Sequence, residues 1–211
     1  MSITPYNQTL PQVDYQVLGL KRRQQVHNLR QELLIKAIGK GRFKVVLDAT
    51  AGLGREALLM AGVCEKVILV ERNPIVFKTL KDALATHEQD PQLSPLIQKM
   101  SLFHTCALDF MKQIHHTPPD VIYCDPMFPQ RNKSAQVKKE SQWLQHVVGQ
   151  DQDVTNLVEL ALFTALHRVV VKRPLHTEFL VQEPDIQYKG RAHRFDVYLV
   201  NKKESRHEST L

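Results

Sequence analysis

Residues 125–129, Asp-Pro-Met-Phe-Pro, follow the apolar run VIYC and set a carboxylate, a carbonyl and an aromatic ring between two prolines. Proline fixes φ and lacks an N–H, so the pair keeps this stretch out of regular structure and holds the three groups out together. Such a trio suits an exocyclic amine on a flat base. Asp125 and the Pro126 carbonyl can accept the two amine hydrogens, while Phe128 stacks on the ring. With the nitrogen lone pair aimed at an activated methyl, positioning and charge carry the reaction and little acid–base chemistry is required. The plain alternative is a proline-rich turn without chemistry.

A second constellation is Asp48-Ala49-Thr50-Ala51-Gly52-Leu53-Gly54-Arg55-Glu56, where a strand end turns through two glycines into a helix predicted to stop at Gly62. Glycine lets the backbone come close to a ligand. Gly52-x-Gly54-x-x-Ala57, with Glu71 nineteen residues after Gly52, satisfies the spacing of a dinucleotide fingerprint, so NAD is a candidate on spacing alone. Asp48 decides between ligands. Its carboxylate points into the turn where NAD would place a pyrophosphate, whereas S-adenosylmethionine places a sulfonium and an ammonium there. Opposite charges ~4 Å apart at an effective dielectric of ~20 attract by about 4 kcal/mol before desolvation, and the sign reverses for a phosphate. The acid favours the methyl donor, with capping of the following turn as its alternative role.

Glu71 ends a second apolar run, where a carboxylate can accept two ribose hydroxyls, and Arg72 beside it can pack along the cofactor or hold a neighbouring acid. Cys106 and Ala107 are expected to end the third strand over the adenine, where small residues leave room, with Asp109 close behind to accept the exocyclic amine. Taken alone, Cys106 is a buried small hydrophobe and Asp109 a helix cap.

These groups need a frame. Short apolar runs at 43–48, 66–71, 101–106, 120–124 and 168–172 barely alternate, as expected of strands in a parallel sheet covered on both faces. Helical stripes lie between them. Asn73-Pro74 supplies an N-cap and a proline at the first helical position ahead of Val76, Phe77, Leu80, Ala83 and Leu84. Val26, Leu29, Leu33, Ala37 and Ile38 form a stripe ending at Gly39, and Leu157, Leu160, Ala161, Thr164 and Ala165 another before the fifth strand. Segments 185–189 and 194–200 flank Gly190 as a closing hairpin. The predicted architecture is α/β: a seven-stranded, Rossmann-like class I methyltransferase fold with an antiparallel final hairpin. We expect an N-terminal extension with a first helix over 1–40, the methyltransferase domain over 41–200 and a tail over 201–211.

The 211 residues, 43% hydrophobic and 24% charged, suffice for one core. No run approaches the roughly 18 apolar residues of a membrane span, and the opening MSITPYNQTL lacks a secretory layout, so a soluble, cytoplasmic protein without a membrane partner is expected. Three separated cysteines without a C-x-x-C pair argue for reduced thiols, and His104, His115, His116 and His193 lack metal-ligand spacing; no metal is expected. Charge is unevenly spread: Lys21, Arg22, Arg23, Arg30, Lys36, Lys40, Arg42 and Lys44 face only Glu32, a surplus larger than the whole chain's +6. Arg131, Lys133, Lys138 and Lys139 form a second basic run in a polar stretch. Both can grip phosphates, or be no more than a solvated helix face and a loop.

Together, DATAGLGREA, LVERNP, CDPMFPQRNKSAQVKKE, RVVVKRP and HRFDVY resemble RsmJ, the bacterial family of small-subunit ribosomal RNA guanine-N2 methyltransferases, over about residues 44–200. The resemblance implies S-adenosylmethionine as methyl donor and a guanine of 16S rRNA, free or in the small ribosomal subunit, as acceptor. It implies cofactor contacts at Arg55, Glu56, Glu71, Arg72, Cys106, Ala107 and Asp125. Three features depart from the family pattern: Cys106-Ala107 replaces small hydroxyl residues, Glu56 stands where Asp is common, and the N-terminal region is shorter. In this setting Arg131, Lys133, Lys138 and Lys139 would hold RNA phosphates at the mouth of the site, with Lys172 and Arg173 doing likewise at the end of the fifth strand. Rival readings are methylation of adenine N6 or a glutamine side chain, and a non-catalytic RNA-binding module.

Overall fold

A computed structural model describes Val13, Tyr15 and residues 29–126 and 153–200. Phe128, Arg131, Lys133, Lys138 and Lys139 lie outside the described residues, as does Val26.

The elements run α1 (Leu33–Ile38), β1 (Val45–Asp48), α2 (Arg55–Ala61), β2 (Lys66–Glu71), α3 (Pro74–His87), α4 (Ser94–Ile97), β3 (Met100–His104), α5 (Ala107–Gln113), β4 (Val121–Cys124), α6 (Val154–Thr164), β5 (Arg168–Pro174), β6 (Ile186–Lys189) and β7 (His193–Leu199). The strands form one seven-stranded sheet in the order β3-β2-β1-β4-β5-β7-β6. The first five are parallel, and β7 inserts antiparallel between β5 and β6. Order reverses at β1 and β4, and it is outside the carboxyl ends of such a pair that an open α/β sheet binds its ligand.

The alternation of each strand sorts the core into two layers. Val46, Val121, Tyr123 and Val170 face a cluster that takes in α1, α2 and α3, while Leu47, Ile122, Cys124, Val169 and Val171 face α5 and α6. Val13, Tyr15 and Leu29 join the first layer, so part of the N-terminal region packs into the same core. Predicted boundaries are met where local chemistry is strong. Asn73 Oδ1 accepts from the N–H groups of Ile75 and Val76 with Pro74 at the first position, and Gly39 closes α1 at φ 106°. The third strand is a correction: it ends at His104, not at 106, because Cys106 is the N-cap of α5 and Ala107 its first residue.

The RFD segment of β7 is structural. Arg194 and Asp196 pair side by side in the interior (Nε–Oδ1 2.8 Å, Nη2–Oδ2 3.0 Å), and Arg194 Nη1 donates to the Leu175 carbonyl (2.8 Å). Gln187 Nε2 donates to Asp196 Oδ1 at 2.8 Å. A planar guanidinium suits this two-pronged geometry, and the bonds tie the chain leaving β5 to the closing hairpin.

Candidate active site

Period two places the reactive side chains on one face. Asp48 shares the face of Val46, Asp125 that of Tyr123, and Lys172 that of Val170, all toward α2, which carries Glu56. The carboxyl ends of β1, β2 and β4 therefore bring Asp48, Glu71 and Asp125 around the glycine turn, as predicted. Lys172, from β5, sits among them: its Nζ lies 2.7 Å from Asp125 Oδ2 and 3.1 Å from Glu56 Oε1. About a third of the Glu56 and Asp125 side chains is open (34% and 32%), enough to meet a ligand.

The turn itself is pinned from three sides. Ala49 N–H donates to the Tyr123 carbonyl (2.9 Å), Ala51 N–H to that of Val70 (3.0 Å), and Gly52 N–H to Glu71 Oε2 (3.0 Å). Glu71 Oε1 accepts from Asn73 N–H at 2.8 Å. Both glycines are left-handed, φ 54° at Gly52 and 72° at Gly54, where a side chain is strained. Their surroundings differ. A Cβ on Gly54 would sit 2.6 Å from Leu80 Cδ1, whereas one on Gly52 would meet, among the described residues, nothing nearer than the Thr50 carbonyl at 3.8 Å, so no described residue fills the space beside Gly52.

Two supporting residues escape sequence reasoning. Thr50 Oγ1 accepts from the backbone N–H of Asp125 (2.6 Å), joining the glycine turn to the start of the Asp-Pro segment. Tyr15, fully buried, donates its hydroxyl to the Leu53 carbonyl (2.9 Å) and braces the turn from beneath. These contacts join residues 75 and 38 positions apart, and no local pattern announces them.

Charge in the cluster is unequally distributed. Burial pushes the Asp48 carboxyl well above the ordinary range, the Thr50 N–H (3.1 Å) opposes it, and Glu56, Asp125 and Glu71 add to the rise. Burial also raises Asp125, with Lys172 opposing and Glu56 adding. For Glu56 burial is outweighed by Lys172, helped by its own backbone N–H and by Arg55, and its carboxyl falls. Lys172 is held above its usual value because Asp125 and Glu56 outweigh burial.

Lys172 and Arg173, both expected to grip phosphates, are held by other groups in this structure. Lys172 is engaged by two carboxylates inside the site. Arg173 points to the opposite face and is buried, with Nη2 donating to the Glu178 carbonyl (2.6 Å) and Nε to Thr177 Oγ1 (3.3 Å). Arg72 is exposed beyond the end of β2. Asp109 lies in the first turn of α5, its side chain 3.7 Å from Lys112 Nζ.

A carboxylate-rich crevice beside a glycine turn matches a cationic ligand better than a pyrophosphate. Comparison with known proteins names that ligand. A family described as "Putative SAM-dependent methyltransferase" matches residues 3–200. A protein from Pseudoalteromonas atlantica named ribosomal RNA small subunit methyltransferase J is 46% identical over 82% of this chain and 70% of its own length. This chain belongs to the ribosomal RNA small subunit methyltransferase J family. A Nitrosococcus oceani relative of the same name is 42% identical over 87% of this chain and 73% of its own. The crystal structure of a SAM-dependent methyltransferase from Neisseria gonorrhoeae superposes with a TM-score of 0.66 at 32% identity, covering 83% of this chain and 73% of that one.

Membership in this J family makes the chain a methyltransferase dependent on S-adenosylmethionine. The residues present fit that group: the side of Gly52 left open by the described residues leaves room for it, and Glu56 and Asp125, each about a third open, with Asp48 and Glu71 beside them, are the acids that a sulfonium and an ammonium would face.

Proposed function

We propose that this chain methylates the exocyclic N2 amine of a guanine in 16S rRNA, free or within the small ribosomal subunit, in the bacterial cytoplasm. The observation that carries the reading is Asp125, fixed at the tip of β4 by Thr50 and Lys172 next to the glycine turn, in a chain of the J family. Among the described residues no helix is long and apolar enough to cross a membrane.

When bound, S-adenosylmethionine supplies a methyl group on a sulfonium, a good leaving group. The chain's own residues bind and orient. Gly52 would allow the donor's close approach, Glu71 would meet the ribose hydroxyls, Asp48 and Glu56 would face the cationic end, and Arg72, Cys106, Ala107 and Asp109 would border the adenine end. Asp125 and the Pro126 carbonyl accept the two hydrogens of the guanine amine, which turns its lone pair toward the methyl, and Phe128 stacks on the base. The nitrogen gains a methyl and sheds one proton, for which Asp125 is the nearest acceptor. Arg131, Lys133, Lys138 and Lys139 hold RNA phosphates, and the guanine is splayed out to reach the crevice.

The test is to incubate the protein with methyl-labelled donor and small-subunit rRNA, digest, and identify the labelled nucleoside. Label in 2-methylguanosine is expected. Label in N6-methyladenosine, or in protein, would overturn the assignment of the base. Asp125→Ala should fold and bind donor yet transfer less than a hundredth of the label, and full transfer by that variant would remove Asp125 from the reaction.

A further inference from the structure

We propose that Lys172 is a positioning residue for methyl transfer: its ammonium clamps Asp125 Oδ2 to Glu56, so that Asp125 meets the target amine as an oriented acceptor through Oδ1. The proposal rests on the reading above, in which Asp125 receives the amine.

Three observations support it. First, the geometry is that of a built contact: Nζ lies 2.7 Å from Asp125 Oδ2 and 3.1 Å from Glu56 Oε1, bridging β4, β5 and α2. No hydrogen bond from a described residue reaches Asp125 Oδ1, which leaves that oxygen for a ligand. A carboxylate held at one oxygen and at its backbone N–H presents the other in a defined direction.

Second, a cation here answers an electrostatic need. Asp125 is surrounded by Asp48 from β1, Glu56 from α2, the buried Tyr123 hydroxyl from β4 and Lys172 from β5, with Arg55 next to Glu56 on the helix. Burial, and after it Glu56, drive Asp125 toward its protonated form, in which Oδ1 or Oδ2 carries a hydrogen and no longer serves as a full acceptor. Lys172 is the opposing charge in contact with it.

Third, placement separates Lys172 from RNA-binding lysines. Its side chain is 23% open, its neighbour Arg173 faces the far side of the sheet, and a solvated phosphate contact would have to break two short ion pairs. Its ammonium instead joins two acids that each stand about a third open beside the glycine turn.

The experiment compares the full chain carrying Lys172 with Lys172→Met, Lys172→Gln and Lys172→Arg. The Asp125 carboxyl is titrated by 13C NMR in aspartate-labelled protein, its signal assigned by its loss in Asp125→Asn, and kcat and KM are measured against pH on small-subunit rRNA. We expect the Asp125 midpoint to rise by a pH unit or more in the Met and Gln variants. The acid limb of kcat should move up with it, so that activity falls at least tenfold at pH 6 and much less at pH 9, with KM for rRNA within threefold. Lys172→Arg should restore both. An unmoved Asp125 midpoint, or an equal loss of activity at every pH, would overturn the proposal. So would a loss confined to KM for rRNA, which would return Lys172 to phosphate binding. If Lys172→Met does not fold, the Gln variant carries the test. A moved midpoint and limb with label in a nucleoside other than 2-methylguanosine would leave the clamp standing and overturn only the choice of guanine.

Discussion

Asp48→Asn separates what the first strand tip contributes to ligand binding from what it costs the fold. Asp48 is 1% exposed, and its Oδ1 accepts the Thr50 N–H, a bond that asparagine retains without the charge. In the unfolded chain the carboxyl ionises at about pH 3.9. In the folded chain burial first, then Glu56, Asp125 and Glu71, hold it well above that value. A raised native value means that folding takes up a proton, so this group's stability is fully present below about pH 4 and is lost as pH rises. Replacing it should stabilise the protein at pH 8, read as a higher Tm, with the gain vanishing toward pH 4. Donor binding should move the other way. A cation ~4 Å away at an effective dielectric of ~20 is worth about 4 kcal/mol. Burial, which favours the protonated carboxyl, offsets part of that, so donor Kd should still weaken about tenfold or more in the variant. Calorimetry with S-adenosylmethionine should show wild-type binding that tightens with pH and releases a proton, and a variant that does neither. A variant with unchanged donor affinity would reduce Asp48 to a cap on the turn and refute the charge argument.

Thr50→Val removes the acceptor of the Asp125 N–H; kcat should fall about tenfold, with donor Kd within threefold and a stability loss of about 1 kcal/mol in urea unfolding, because a part-buried N–H loses its partner. Gly54→Ala forces a left-handed φ and a Cβ 2.6 Å from Leu80, and should cost about 1–3 kcal/mol by the same assay, whereas wild-type stability would deny that the turn is constrained there. Replacing Lys138 and Lys139 by alanine should weaken rRNA binding and lower its salt slope by about 1.4 to 1.8, read by filter binding from 50 to 200 mM salt, with donor affinity unchanged.

The residues legible in the sequence are those whose chemistry is local. Asp48, Glu71 and Asp125 each follow an apolar run, and a parallel sheet brings such ends together whatever lies between them. Asn73-Pro74 and Gly39 mark helix ends through bonds made within a few residues. The misread positions depend on tertiary relations. Lys172 and Arg173 are adjacent in a basic dipeptide, yet strand alternation sends one into the carboxylate cluster and the other to the far face, where Thr177 and Glu178 receive it. Thr50 and Tyr15 act only through partners distant in sequence. Cys106 reads as the end of an apolar run, but the helix that starts at Ala107 takes it as a cap and shortens β3.

The account as a whole requires that acids on neighbouring strand tips surround one cationic donor. A crystal structure of the protein with S-adenosylmethionine bound tests this most directly. The predicted complex has the donor against Gly52, its ribose hydroxyls on Glu71, its ammonium end toward Asp48 and Glu56, and its methyl directed at the space before Asp125. A donor seated away from the tips of β1, β2 and β4, or one whose methyl points away from Asp125, would contradict it.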